Sequence, residues 1–220
     1  MGPIGIFGGT FDPIHYGHLR TAFELLQGLS LSRVCFVPCA IQPLRDLPAT
    51  AGDLRLAMVS AAVADQPGFC VDARELERGG PSYSVDTLTQ IRSEQPSAPL
   101  CLILGMDAFL SLPRWHRWEE IMALAHVVVA HRPGWEIPSD EVLGDLIQDR
   151  GTERAADLHD SAAGLVFVRA VTQLEISATA LRASIRDGLD PKYLVPDRVR
   201  QIIAETACYL RRADEDPDAR

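Results

Sequence analysis

The strongest constraint on what this chain can fold into is an alternation of short aliphatic or β-branched runs with longer amphipathic stretches. The runs are Ile4 to Phe7, Val34 to Pro38, Phe69 to Ala73, Leu100 to Leu104, Val127 to Ala130 and Leu165 to Val168. Between them, apolar residues recur at three- and four-residue spacing over Leu19 to Leu29, Leu54 to Ala64, Val85 to Ser93, Trp118 to Leu124, Glu141 to Asp149 and Thr179 to Asp187. That spacing builds one apolar face of a helix. Strand followed by helix, about six times over, predicts an α/β fold with a doubly wound, mainly parallel sheet covered on both sides.

Terminal signals agree with this pattern. Ser84 and Ser177 are placed to precede helices, Gly188 to close the second of them, and Pro196 to open a last helix reaching about Arg211. Residues 45–52 and 151–164 read as loops, and long loops in a compact domain are often functional. No repeat or linker interrupts the chain, so a single domain is expected over residues 1–212, with residues 213–220 a charged, frayed tail.

Composition narrows the function. The 220 residues carry 30 acidic and 21 basic side chains, a formal net charge of -9, which disfavours a general nucleic-acid binder. No run of about 18 apolar residues suggests a membrane span, and no basic leader precedes an apolar segment. The five cysteines, Cys35, Cys39, Cys70, Cys101 and Cys208, are odd in number and mostly sit in apolar surroundings. Buried, reduced thiols and a cytoplasmic location are the expectation.

The stretch with most chemical content is Gly5-Ile6-Phe7-Gly8-Gly9-Thr10-Phe11-Asp12-Pro13-Ile14-His15-Tyr16-Gly17-His18-Leu19, running from the first strand into the first helix. In an open α/β sheet this is the carboxyl edge, where ligands bind. Gly8 and Gly9 allow close backbone approach, Thr10 adds a hydroxyl, and His15 and His18 share a face at a helix N-terminus that favours an anion. Neither the Walker pattern nor G-x-G-x-x-G is present, which disfavours a Walker-type NTPase and a dinucleotide oxidoreductase. A metal pair is the alternative use of two histidines so spaced, but no third ligand lies nearby in sequence to complete a set, and no protein metal site is expected.

The string Gly8-Gly9-Thr10-Phe11-Asp12-Pro13-Ile14-His15-Tyr16-Gly17-His18-Leu19 resembles the signature of the bacterial nicotinate mononucleotide adenylyltransferase family, within the HxGH nucleotidyltransferases. Similar blocks follow in the family's order: Pro81 to Leu88, Leu104 to Asp107 with Trp115 to Trp118, His131 to Gly134, and Ile176 to Arg182. The resemblance covers about residues 4–210. It implies a Rossmann-like nucleotidyltransferase fold and transfer of AMP from ATP to nicotinate mononucleotide, giving nicotinate adenine dinucleotide and pyrophosphate without a protein nucleophile.

The resemblance also implies roles. His15, His18 and Arg182 would be catalytic, contacting ATP phosphates as charge develops. ATP would further be held by Gly8, Gly9, Thr10, Ser177 and Thr179, with Gly105 and Asp107 at its ribose. Phe11, Arg45, Tyr83, Ser84, Asp86, Trp115, His116 and Arg132 would form the mononucleotide side, with Trp115 an exposed indole for ring stacking and Trp118 a packing residue. Mg²⁺ would arrive on the ATP phosphates. Preference for the acid over the amide substrate would need donors to the ring carboxylate, such as backbone N–H groups near Ser84 and His116.

One step departs from the pattern: many members carry Pro-His-Lys or Pro-His-Arg after the second strand, and this chain has Pro43-Leu44-Arg45. An imidazole contact from that loop is not carried over. Two other readings remain at this stage, another HxGH transferase of the pantetheine-phosphate adenylyltransferase kind, and a non-catalytic nucleotide-binding protein. Because the expected substrates are polyanions, His15, His18, Arg45, Arg132 and Arg182 are expected to converge on one positive cleft. A homo-oligomer is compatible with the sequence, which does not fix the oligomeric state.

Overall fold

The computed structural model describes residues 2–44, 46–131, 141–172 and 174–210. Arg45, Arg132 and the tail at 213–220 therefore lie outside the described residues. In chain order the elements are β1 (Ile4–Gly9), α1 (Tyr16–Gly28), β2 (Arg33–Pro38), α2 (Gly52–Val63), β3 (Phe69–Val71), α3 (Arg74–Arg78), α4 (Ser84–Glu94), β4 (Leu100–Gly105) and α5 (Met106–Leu110). After a single 3-10 turn at Leu112–Arg114 come α6 (Trp118–Leu124), β5 (His126–His131), α7 (Glu141–Arg150), β6 (Gly151–Thr152), α8 (Asp157–Asp160), β7 (Val166–Ala170), α9 (Ala178–Arg186) and α10 (Asp197–Thr206).

The strands pair in parallel in the order β3-β2-β1-β4-β5-β7-β6. Successive side chains of a strand point to opposite faces, and both faces of the central strands are filled. Along β4, Cys101 and Ile103 join a core with Phe36, Leu25, Met58, Leu181 and Val199. Leu100, Leu102 and Leu104 join the opposite core with Val85, Leu88, Phe109 and Ile121. The chain runs outward from β1 to β3, then crosses back to β4 beside β1. The order thus reverses between β1 and β4, and a crevice opens at their carboxyl ends.

The six expected strands and the expected helices all form. The last helix ends at Thr206 rather than near Arg211. Four short elements were not anticipated: α3, α5 and α8, of four or five residues, and the two-residue edge strand β6. The last two occupy the segment read as a loop at 151–164. Ser177 caps α9 as expected, accepting from the Ala180 backbone N–H, and Gly188 follows with φ +81°. Ser84 does not cap its helix: it is the first helical residue, and Tyr83 is the N-cap, without a side-chain cap.

The expectation of reduced thiols throughout needs correction. The β2–β3 register sets Cys35 directly opposite Cys70, their Cα atoms are 4.6 Å apart, and the two are joined as a disulfide. Cys39, Cys101 and Cys208 are free. Among the described residues, no helix is long and apolar enough to cross a membrane.

The core reaches the ligand edge through an aromatic cluster. Phe36 is fully buried and its ring lies 5.7 Å from Phe7, 5.8 Å from Phe11 and 5.1 Å from Phe69, centroid to centroid. Phe11 in turn meets His18 edge-on at 5.1 Å. Phe36→Ala removes the centre of this cluster and should lower stability by about 3–5 kcal/mol. Equilibrium denaturation in urea reads that loss directly, and a cost below about 1 kcal/mol would mean the cluster is not a packing unit.

Candidate active site

A cleft of about 1230 Å³ opens at the strand-order reversal. Its wall includes Gly8 to Asp12 from the end of β1, Gly17, His18 and Thr21 from α1, Gln42 to Leu44 and Asp46 to Ala49 after β2, Gly105 to Ala108 after β4, Arg114, and Ala178, Thr179 and Arg182 from α9. A Cβ added to Gly8 or to Gly105 would meet nothing within 4 Å. Bare backbone thus faces open space from both strands that flank the reversal, and a ligand can lie against it.

The two histidines stack, with ring centroids 3.7 Å apart and planes inclined by 29°. Gly17 makes this packing feasible: a Cβ there would stand 2.9 Å from His15 Nδ1. The backbone N–H of His15 donates to His18 Nδ1 at 3.4 Å. That nitrogen is then the unprotonated one, and neutral His18 carries its proton on Nε2 as a hydrogen-bond donor. His15 is buried and its Nδ1 has no partner among the described residues.

Burial sets the protonation of the pair. It lowers the His15 pKa to about 4, and burial together with the neighbouring His15 holds His18 well below the ordinary imidazole range. Both rings are neutral near pH 7, so they offer directed N–H donors rather than stored positive charge.

Arg182 supplies fixed charge. Its Nη1 donates to the Asp12 carbonyl at 2.7 Å and its Nη2 to Thr179 Oγ1 at 3.4 Å, which holds the guanidinium across the glycine turn. Ser177, one turn earlier, is exposed and caps α9 beside the cleft. Thr10 Oγ1 donates to Gln42 Oε1 at 3.0 Å, linking the turn after β1 to the loop after β2.

Behind the turn lies Arg55, only 1% exposed and, among the described residues, with no carboxylate partner in an ion pair. Its guanidinium donates to the backbone carbonyls of Thr10 (2.8 Å), Thr50 (3.1 Å) and Ala40 (3.4 Å). These three bonds tie the turn to both ends of the loop that forms the opposite lip. The cation also stands close behind the floor of the cleft.

The sequence-predicted residues thus fall into two groups. Gly8, Gly9, Thr10, Phe11, His18, Gly105, Asp107, Thr179 and Arg182 line the cleft, with His15 stacked behind His18. Tyr83, Ser84, Asp86, Trp115 and His116 form a second cluster that is not in its wall. There the Tyr83 ring lies 4.5 Å from His116, and Asp86 pairs with Arg117 at 3.8 Å. Trp115 is half-buried against the core, not the exposed indole expected, and its Nε1 donates to Ser111 Oγ at 3.0 Å.

The expected positive cleft is also modified. Among the described residues its wall carries Arg114 and Arg182 against Asp12, Asp46 and Asp107. Anion affinity must then rest on directed donors, on helix N-termini and on the buried Arg55, rather than on net charge. Sequence reasoning passed over Asp12, Gln42, Arg55, Arg114 and Tyr209. Arg114 closes the 3-10 turn immediately before the Trp115 to Trp118 block and could have been singled out; Arg55 lies on a helix whose pattern reads as amphipathic and gives no such signal.

A parallel α/β sheet with bare glycine backbone, an imidazole donor and an arginine at its switch point defines a nucleotide-binding protein of the nucleotidyltransferase class. Residues 6–184 match the cytidylyltransferase-like family model. A protein of Methylococcus capsulatus named "Probable nicotinate-nucleotide adenylyltransferase" is 46% identical over 209 residues, 94% of this chain and all (100%) of that one. A protein of Aeromonas hydrophila with the same name is 46% identical, over 94% of this chain and 97% of its own. The chain belongs to the nicotinate-nucleotide adenylyltransferase family. The fold is also that of the Plasmodium falciparum nicotinic acid mononucleotide adenylyltransferase solved with NaAD, with a TM-score of 0.68, 18% identity and coverage of 95% of this chain and 98% of that one.

Burial of His15 generates an acid sensitivity of the fold. An unfolded chain protonates this imidazole near pH 6.5, the folded one only near pH 4. The sign is therefore fixed: above 6.5 neither state is penalised, and stability falls as pH drops from 6.5 towards 4. The His15 share should be about 2 kcal/mol by pH 5. Urea unfolding at pH 7 and pH 5 should show at least that loss, and His15→Gln should reduce it by the His15 share while His18 keeps its own; an unchanged slope in the variant would contradict a buried neutral His15.

Proposed function

We propose that the protein transfers the adenylyl group of ATP to nicotinate mononucleotide, forming nicotinate adenine dinucleotide and pyrophosphate. The observation that carries this reading is the meeting of His18, the Gly8–Thr10 turn and Arg182 around one cleft at the sheet's switch point. The names of the relatives supply the substrate class.

In this reading an oxygen of the mononucleotide phosphate attacks the α-phosphorus of ATP. A new P–O bond forms, the bond between the α-phosphorus and the bridging oxygen breaks, and pyrophosphate leaves with that electron pair. Such a step needs positioning and neutralisation of charge rather than a protein nucleophile. His18 donates through Nε2 to a phosphoryl oxygen, with His15 stacked behind it to fix the ring plane. Arg182 and Thr179, with the N-terminus of α9, take the β- and γ-phosphates and steady the leaving pyrophosphate. Gly8, Gly9 and Thr10 accept the polyphosphate against the backbone, and Gly105 and Asp107 take a ribose.

Tyr83, Ser84, Asp86, Trp115 and His116 form the mononucleotide side, adjoining the cleft at the loop that carries Arg114. Among the described residues, no group of three or more His, Cys, Asp or Glu could hold a metal. Mg²⁺ would be carried in on the triphosphate and would neutralise phosphate charge there. Phe11 and Arg45 complete the assignment on the mononucleotide side, with Arg132 beyond β5.

The test is pyrophosphate release from ATP, Mg²⁺ and nicotinate mononucleotide, with pantetheine phosphate as the competing acceptor. Release should require the mononucleotide. No release at micromolar enzyme, or release only with pantetheine phosphate, would overturn the assignment. His18→Ala removes a donor at the reacting phosphate and should lower kcat by roughly 10²- to 10³-fold; single-turnover kinetics showing a loss under tenfold in a folded variant would remove His18 from that role.

A further inference from the structure

Asp12 sits inside the glycine turn, in the wall of the cleft, and its carboxylate is taken up by three donors. The residue is 3% exposed. Its Oδ2 accepts from the backbone N–H groups of Ala49 at 2.7 Å and Thr50 at 3.3 Å, in the loop that precedes α2. Its Oδ1 accepts from the Tyr209 hydroxyl at 2.6 Å, a contact buried on both sides and 197 residues away in sequence. Meanwhile its main-chain carbonyl takes the 2.7 Å bond from Arg182 Nη1. One residue thus joins the phosphate turn, the loop after β2, the C-terminal segment and the arginine of α9.

We propose that Tyr209 is a positioning residue for adenylyl transfer, acting through Asp12 to aim the Arg182 guanidinium at the polyphosphate. This rests on the reading given above, in which Arg182 grips the β- and γ-phosphates. A carboxylate held by three donors in a buried setting fixes the Asp12 Cα and, with it, the direction of the carbonyl that anchors Arg182. Tyr209 is itself 5% exposed and its ring belongs to the same core as Phe36 and Val199. The hydroxyl is therefore held from the far end of the chain by packing. Burial, with the Asp12 carboxylate beside it, pushes the phenol well above its ordinary range, so it stays a donor at any working pH.

A buried tyrosine at the end of a chain could serve stability alone, and the two roles differ in what they predict. If Tyr209 acts through Arg182, its hydroxyl matters only while that guanidinium is present. Tyr209→Phe keeps the ring and deletes the donor. With wild-type Arg182, kcat/KM for ATP should fall on the order of tenfold, a coupling within the range for groups sharing one hydrogen-bond network, while KM for the mononucleotide moves less than twofold. In an Arg182→Ala background, the same Tyr209→Phe change should cost less than twofold.

The experiment is this double-mutant cycle, run by pyrophosphate release at a temperature where far-UV circular dichroism shows all four proteins folded. A loss of equal size in both backgrounds, or no loss with Arg182 present, overturns the proposal. Inactivity of the wild-type protein would instead overturn the reading of the reaction, so the two failures are distinct. Should Tyr209→Phe not fold, Asp12→Asn serves the same cycle: its amide cannot accept from both the loop N–H groups and the phenol, while its main-chain carbonyl remains.

Discussion

The site depends on β1 being enclosed on both edges and both faces. Flanked by β2 and β4 and buried from Ile4 to Phe7, it brings the chain to the switch point at a fixed height and angle. Gly8 and Gly9 then end the buried run and expose backbone where the sheet order reverses. Gly5 is in the same strand for a packing reason: a Cβ there would stand 2.9 Å from Ile103 and 3.1 Å from Leu31 and Val34. The apolar sandwich around β1 is what supports the six residues from Thr10 to His15 that form the turn into α1.

That turn is held from behind by charge and hydrogen bonds rather than by apolar packing alone. Arg55 donates into it from one side, and Asp12 anchors it from within. A buried guanidinium is costly unless its donors are satisfied, and here the backbone carbonyls of Thr10, Thr50 and Ala40 satisfy three of them. Its charge lies behind the turn, next to the buried Asp12 carboxylate: Arg55 donates to the Thr50 carbonyl and Asp12 accepts from the Thr50 N–H.

Most of the architecture was legible in the sequence because it rests on local pattern. Runs such as Leu100 to Leu104 announce a strand buried on both faces, and the three- and four-residue periodicity of Thr179 to Asp187 announces α9. What escaped was too short to show a period, as with Gly151–Thr152 or Asp157–Asp160. The Cys35–Cys70 pairing escaped for another reason: it depends on which residues of β2 and β3 stand opposite, a matter of register that spacing alone does not encode. The site divides in the same way. His15, Gly17 and His18 are neighbours in sequence, so their chemistry could be read off. Arg55 meets Thr10 across 45 residues and Tyr209 meets Asp12 across 197, and neither contact leaves a local trace.

The stacked histidines resolve a tension between burial and phosphate chemistry. Cationic rings 3.7 Å apart would repel each other and would have to be desolvated together, so both are held neutral and the pair stores no charge. A neutral donor is also the better partner for a phosphate that must later change charge. It binds by direction, through an N–H whose tautomer the His15 backbone has already chosen, and it does not lock the polyanion in an ion pair. The permanent charges sit apart, on Arg182 at the wall and on Arg55 beneath the turn; in the proposed reaction the first of them steadies the leaving pyrophosphate. In the proposed reaction, division of labour between a directional neutral donor and fixed guanidinium charge would let stabilisation grow as the transferring phosphoryl group passes through its transition state, which is the condition for catalysis rather than mere binding.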